Sequence, residues 1–407
     1  MNILFLTLSN SFLTSEFKHQ RGIYIDLMKE FQKNGHVVYV AVPGRREKEF
    51  ETRLIPNNGV NVLQIKTGDL FSSNRVFKGI ATVMLEGQFN KAIRRHLSKI
   101  KFDLVLFSTP PITFEKVVSY VRKRDDAKSY LLLKDIFPQN AIDLNFFSKL
   151  NPLYWYFRRK EKKLYRCADF IGCMSPANVD YLRKHNPYLS NKEIEVCPNS
   201  IEPLSEFISN EDKKKIREKY GIPQNAFVFF YGGNLGRPQG VDFLLDVIEA
   251  VGDQEKVFFL IIGSGTEYSR MEKWFSQNKP VHSKLLPSVS KQHFDQLLQC
   301  GDVGLIFLDP RFNIPNFPSR LLSYLECSIP VLAATDINTD LGEIIHINGF
   351  GLWCESGDTR EFLKHVEFFQ TNKRDAMKMG KKGRQYLDNN YLVSHAYKII
   401  IKHFENV

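Results

Sequence analysis

Residues Phe227 to Gly240 read FVFFYGGNLGRPQG, and an amphipathic helical repeat (Val241, Leu244, Leu245, Ile248) follows at once. Five β-favouring residues running into a glycine-rich turn and then a helix leave the chain little choice. It must exit a buried strand, turn sharply and start a helix whose first N–H groups can meet an anion. The N-terminus has the same order: a strand-like run Ile3–Leu8, then a helix Gly22–Asn34 with Ile23, Leu27 and Phe31 on its apolar face. Two such starts predict an α/β chain of two doubly wound, Rossmann-like domains facing each other across a cleft.

The alternation continues on both sides of a break. Val37–Val42, Phe102–Phe107, Ser129–Leu133, Phe170–Met174 and Ile194–Val196 carry short strand signals in the first half. After Pro198-Asn199-Ser200 and Pro203 comes a charged helix, Glu211–Tyr220. A second series follows it: Ala226–Tyr231, Lys256–Ile262, a weak run Ser283–Leu286, Val303–Phe307 and Pro330–Ala333. The expected domains are 1–200 and 201–385. A helical tail, 386–407 with its clearest repeat at Val393–Glu405, is expected to pack back on the first. Ligands of such sheets gather at the carboxyl ends of the strands.

With 407 residues, 43% of them apolar, each half can bury its own core. Only Asn2 precedes the first apolar run, so the reading is a buried strand and not a secretory leader. No run of about 18 apolar residues occurs, as a membrane-spanning helix needs. Six cysteines show no Cys-x-x-Cys pair and no metal-ligand spacing, which suits reduced thiols in the cytosol.

The net charge of +11 is concentrated in places. Arg158, Arg159, Lys160, Lys162, Lys163 and Arg166 interleave with Tyr154, Trp155, Tyr156, Phe157 and Tyr165, against the single acid Glu161. Lys91, Arg94, Arg95, Lys99 and Lys101 form a second basic set. Aromatic and basic residues together suit a helix lying on an anionic membrane, through Trp155, Arg158, Arg159, Lys162 and Lys163. The alternative is a solvated face over an aromatic core. No nucleic-acid module accompanies the charge.

Several short segments occur in a telling order. They are Gly22 ahead of Gly35-His36-Val37-Val38; Lys134-Asp135-Ile136-Phe137-Pro138-Gln139; Cys197-Pro198-Asn199-Ser200; Gly232-Gly233-Asn234-Leu235-Gly236; Ile262-Gly263-Ser264-Gly265 with Glu267; and Pro318-Ser319-Arg320 through Ile329-Pro330-Val331. Across nearly the full length the chain thereby resembles a GT-B nucleotide-sugar glycosyltransferase. It is most similar to family 4, and there to members building bacterial capsule, O-antigen or other exopolysaccharides. The resemblance implies a retaining transfer from a UDP-sugar to a lipid-linked or growing polysaccharide acceptor. It also implies a cytoplasmic enzyme held peripherally on the inner face of the cell membrane.

Breaking the anomeric bond builds negative charge on the departing diphosphate, so preorganised donors must face it. No Asp-x-Asp motif offers a metal, so no cofactor or metal is expected. The expected donor contacts are Gly22, Gly233, Asn234, Leu235, Gly236, Arg237, Gly263, Pro318, Ser319 and Ser323, with Ser288 and Val289 at the base. Arg320, at a helix start, is the expected phosphate-binding cation, and Asp135 and Lys134 complete the catalytic set. Asp135 orients the acceptor, holds Lys134 or caps a helix. Arg21 and Gln139 are the expected acceptor contacts, with His19 nearby.

Two departures from the family pattern stand out. Positions that carry an arginine and a lysine in many members hold Asn234 and Gln239, and the two-glutamate signature falls on Pro315 and Ser323. Glu326 reads as a helix-face residue. Rival readings are a nucleotide-sugar 2-epimerase or phosphorylase on the same scaffold, and an inactive membrane-associated partner of a transferase.

Overall fold

The computed structural model describes residues 1–13, 20–44, 50–57, 59–70 and 75–404. The chain divides into one unit of Met1–Glu202 with Val393–Val407 and another of Pro203–Leu392.

The first unit runs β1 (Asn2–Leu6), α1 (Ile23–Lys33), β2 (Val37–Pro43), β3 (Arg53–Asn57), β4 (Val60–Ile65), α2 (Arg75–His96), β5 (Leu104–Ser108), α3 (Glu115–Asp125), β6 (Lys128–Leu133), α4 (Gln139–Asp143), α5 (Pro152–Cys167), β7 (Phe170–Cys173), α6 (Pro176–His185) and β8 (Glu193–Val196). Its eight-stranded sheet has the order β3-β4-β2-β1-β5-β6-β7-β8. Every pairing is parallel except that of β3 with β4. Ile3, Leu4, Phe5 and Leu6 are wholly buried, as a central parallel strand covered on both faces requires. Strand order reverses between β1 and β5, so the ends of these two strands flank a switch point.

The pair β3–β4 is the chief departure from the sequence reading. β3 carries Pro56 and largely exposed side chains at a sheet edge, where it needs no apolar run.

The second unit runs α7 (Asn210–Lys219), β9 (Phe227–Asn234), α8 (Val241–Val251), β10 (Val257–Ser264), α9 (Tyr268–Asn278), β11 (Ser283–Pro287), α10 (Lys291–Leu298), β12 (Val303–Phe307), α11 (Arg320–Glu326), β13 (Val331–Thr335), α12 (Leu341–Asn348), β14 (Gly351–Glu355), α13 (Thr359–Thr371) and α14 (Lys373–Asn390). Its six strands lie in the order β11-β10-β9-β12-β13-β14, all parallel. The switch point falls between β9 and β12, beside the glycine turn. The edge strand β14 is a second element absent from the sequence reading.

The last helix, α15 (Val393–Ile401), belongs to the first unit. The Val393 amide donates to the Ile201 carbonyl at 3.0 Å. Tyr397 meets His36 (Oη to Nε2, 3.0 Å), and Ile400 and Ile401 are buried in the core around Phe31. His403 stacks on Phe170 and reaches Glu195 at 2.8 Å. Glu405, the expected end of this helix, lies outside the described residues.

Candidate active site

In the second unit the turn after β9 is knit by side chains as well as by backbone. Tyr231 donates its hydroxyl to the Asn234 carbonyl at 2.9 Å, and the Asn234 side-chain amide donates to Gln239 Oε1 at 2.8 Å. The Gly236 amide also donates to Gln239 Oε1, at 3.1 Å. Gly263 on β10 lies so close beneath that a Cβ there would stand 1.9 Å from the Gly233 carbonyl oxygen. No other residue fits without parting the two strands. Leu235 turns inward and is wholly buried, and its amide donates to the Ser264 carbonyl at 2.8 Å. The amides of Leu235 and Gly236 are thus already engaged, which moves the burden of anion binding to side chains.

Arg320 opens α11 and is half-buried. Its guanidinium lies over the Tyr231 ring, 4.1 Å from the centroid, and Nη2 donates to the Asn234 carbonyl at 3.3 Å. Nη1 is buried and has no hydrogen-bond partner among the described residues. A buried, charged donor with an empty valence is costly unless something fills it. Nη2 would stand 3.9 Å from a Cβ at Gly233, so Arg320, Gly233, Asn234 and Gly263 share one corner at the carboxyl ends of β9 and β10.

The other expected donor residues surround that corner to different degrees. Pro318 is half-buried and Ser319 exposed just before α11, with Ser323 one turn along it. Arg237 is exposed in the turn. Ser288 is exposed and Val289 half-buried beyond the edge strand β11. Glu326 is buried, and its Oε1 accepts the Leu204 amide at 2.7 Å, a structural use.

In the first unit the Thr109 hydroxyl ties the end of β5 to the end of β6. It accepts the amides of Lys134 and Asp135 at 3.0 and 3.1 Å and donates to the Asp135 carbonyl at 3.1 Å. Burial lifts the Asp135 carboxyl from 3.8 to about 6, opposed by a hydrogen bond from the Asn140 side chain at 3.3 Å. The N-cap position of α4 is Pro138, so Asp135 does not cap that helix. Lys134 forms no ion pair with Asp135. Its ammonium donates to the Cys197 carbonyl at 3.1 Å, and burial lowers it to about 8. The Tyr24 phenol, pushed up to about 12 by burial, faces Ser108 and Asp135.

Gly22 has φ +153, open to glycine and strained for other residues, and a Cβ there would meet nothing within 4 Å. Its amide donates to Asp26 Oδ1 at 3.3 Å, and Asp26 Oδ2 accepts the Glu202 amide at 3.2 Å. Arg21 donates to the Glu202 carbonyl at 2.6 Å. Gln139 donates to Asp143 within α4. His19 lies outside the described residues.

Two family models match the chain in succession: "Glycosyltransferase Family 4" over residues 23–203 and "Glycosyl transferases group 1" over residues 212–386. Together they take in most of both units. The chain belongs to the GT-B glycosyltransferases of family 4. It is 24% identical to the probable glycosyltransferase WbjE of Pseudomonas aeruginosa over 296 residues, 71% of each chain. With WcaI of Escherichia coli, a putative colanic acid biosynthesis glycosyl transferase, it shares 25% over 178 residues, 41% of this chain and 43% of that one. Two solved structures share the fold. Sucrose-phosphate synthase from Thermosynechococcus elongatus has TM-score 0.76 at 14% identity, over 100% of this chain and 98% of that one. Anabaena HepE, solved with UDP-glucose, has TM-score 0.66 at 15% identity over the whole of both chains.

In this glycosyltransferase the basic helix α5 divides into two kinds of residue. Arg158 faces inward, pairing with the buried Glu161 and donating to Asn186 Oδ1 at 2.8 Å. Lys160 pairs with Glu86 at 2.8 Å. Arg158 is thereby removed from the expected membrane contacts. Lys162 is half-buried, 5.9 Å from the Tyr188 ring centroid. Arg159, Lys163 and Arg166 are exposed, and so are Leu150 just before the helix and Leu153 and Trp155 in its first turn, by 92%, 54% and 63%. No described helix is long and apolar enough to cross a membrane.

Sequence reasoning missed Thr109, Tyr24 and the buried Asp336. The last lies beyond β13, is lifted to about 6 by burial, and accepts the amides of Asn338 and Thr339. Only its place after a buried strand could have marked Asp336.

Proposed function

We propose that this glycosyltransferase moves a sugar, with retention and without a metal, from a UDP-sugar to a lipid-linked or growing polysaccharide acceptor. The observation that carries the donor half is Arg320 Nη1, a buried cationic donor with no partner among the described residues, at the corner of β9 and β10. A diphosphate oxygen there would complete its hydrogen bonding and receive charge stabilisation as the glycosidic bond breaks. HepE, of the same fold, was solved with UDP-glucose, which supports the UDP assignment. The names of WcaI and of TuaC, a putative teichuronic acid biosynthesis glycosyltransferase of Bacillus subtilis, support a polysaccharide product.

In the retaining course the leaving phosphate takes the acceptor proton, and Asp135 orients the acceptor hydroxyl. Leu150, Leu153 and Trp155 dip into the inner leaflet while Arg159 and Lys163 meet anionic headgroups. Peripheral attachment brings the enzyme to a lipid-linked acceptor on the cytoplasmic face.

A donor screen tests the reading. Nucleotide release is measured over UDP- and GDP-sugars, with and without lipid-diphosphate saccharides and with EDTA. UDP release that rises with acceptor and ignores EDTA supports it. Release from GDP-sugars alone, or dependence on a divalent ion, would refute the corresponding part.

A further inference from the structure

The second unit holds a cavity of about 880 Å³ at the end of its sheet away from the donor corner. It lies where β9, β12 and β13 begin, lined by Phe227, Asp302 and Pro330. The seven residue steps along β9 from Phe227 to Asn234 span roughly 23 Å. Two helices also line the cavity: α7 through Lys213, Lys214 and Arg217, and the start of α14 through Lys373 and Met377.

Charge here is unbalanced. Four basic side chains meet a single carboxylate, Asp302. That carboxylate is already engaged by Arg217 at 2.9 Å, by Lys213 at 3.7 Å and by the Val228 amide at 2.8 Å. Lys214 and Lys373 are exposed and have no ion pair among the described residues. Arg217 is only 6% exposed, and its Nη atoms donate to the Ala226 and Cys300 carbonyls at 3.1 and 2.7 Å. Its Nε is buried with no hydrogen-bond partner among the described residues. Like charges gathered round one spent acid repel each other until an anion joins them.

Apolar surface lies beside the charge. Phe207 and Met377, both in the lining, are 52% and 65% exposed, and Lys373 Nζ stands 6.0 Å from the Phe227 ring centroid. The volume suits a molecule of nucleotide size. Ammonium and guanidinium groups suit phosphate, and the exposed Phe207 ring suits a flat ring system.

We infer that this cavity is a second ligand site, for a small molecule that carries several phosphate charges and a flat ring. It is separate from the donor corner, so it stands whether or not the nucleotide-sugar reading does.

ATP, inorganic tripolyphosphate and citrate, titrated calorimetrically into the full chain with EDTA present, test the site. ATP should bind, tripolyphosphate more weakly and citrate more weakly still. Lys214→Glu combined with Lys373→Glu should keep the wild-type melting temperature, since both residues are exposed, and weaken ATP by about 10–100-fold. The milder pair Lys214→Gln with Lys373→Gln should weaken it by about 3–10-fold. Phe207→Ala should weaken ATP and leave tripolyphosphate unchanged, and Arg320→Ala should leave both unchanged. Failure of ATP and tripolyphosphate to bind at millimolar concentration would overturn the site, as would full affinity in both lysine pairs. ATP binding lost in Arg320→Ala but kept in the lysine pairs would overturn it too, by assigning ATP to the donor corner. Citrate binding as tightly as tripolyphosphate would overturn the phosphate class, and full ATP affinity in Phe207→Ala the flat ring.

Discussion

Asp135 is held where its ionised form is disfavoured. With a carboxyl lifted from 3.8 to about 6, the fold favours the protonated acid. The stability this group contributes is complete below about pH 4 and is lost as pH rises through about 6. Asp135→Asn should therefore raise stability at pH 8 by about 1–2 kcal/mol, allowing for partial exposure of the site. A denaturant titration at pH 8 and pH 5 measures the difference, which should shrink at the lower pH. Transfer should fall by about 100-fold in the same variant, and wild-type activity should decline as pH drops below about 6. Full activity in the asparagine variant would leave Asp135 a purely structural group.

Arg320→Ala should cut kcat/KM for the donor by about 100–1,000-fold. The loss of its contact with Tyr231 costs only about 1 kcal/mol of stability. Parallel initial rates and melts separate the two effects, and near-normal turnover would remove Arg320 from the mechanism. The sequence could mark Arg320 and Gly263 because a helix start and a strand-end glycine have local signatures. It could not show that Gln239 Oε1 holds Asn234 and the Gly236 amide, which depends on which way a carboxamide faces. Nor could it separate Arg158 from Arg159, which are neighbours in sequence but occupy opposite environments.

At the scale of the element, α5 is both a structural strut and an exposed face. Reversing Arg159 and Lys163 to glutamate should abolish flotation with anionic liposomes at physiological salt, at about 1 kcal/mol for each basic residue near the surface. Arg158→Ala should float normally yet lose about 3 kcal/mol of stability, because Glu161 is then left buried and unpaired. Unimpaired flotation of the double reversal would assign the charge another task. Central strands such as β1 and β9 are legible because burial on both faces demands unbroken apolar runs. β3 and β14 are edge strands, with one neighbour and short or mixed sequences, so periodicity alone did not reveal them.

Across the whole molecule, the first unit is completed by residues from the far end of the chain. Removing everything after Leu392 should strip Val393, Ile400 and Ile401 from its core, a loss of roughly 5 kcal/mol. Calorimetry should show the transition of the first unit falling while that of Pro203–Leu392 stays in place. An equal fall in both would contradict the division described here. The same connectivity sets an order of events on the ribosome. Translation must add about 200 residues after Glu202 before α15 emerges, roughly 10–40 s at ordinary elongation rates. During that interval the later-made unit can finish folding while the earlier one waits with the apolar side of α1 uncovered, a natural landing place for a chaperone.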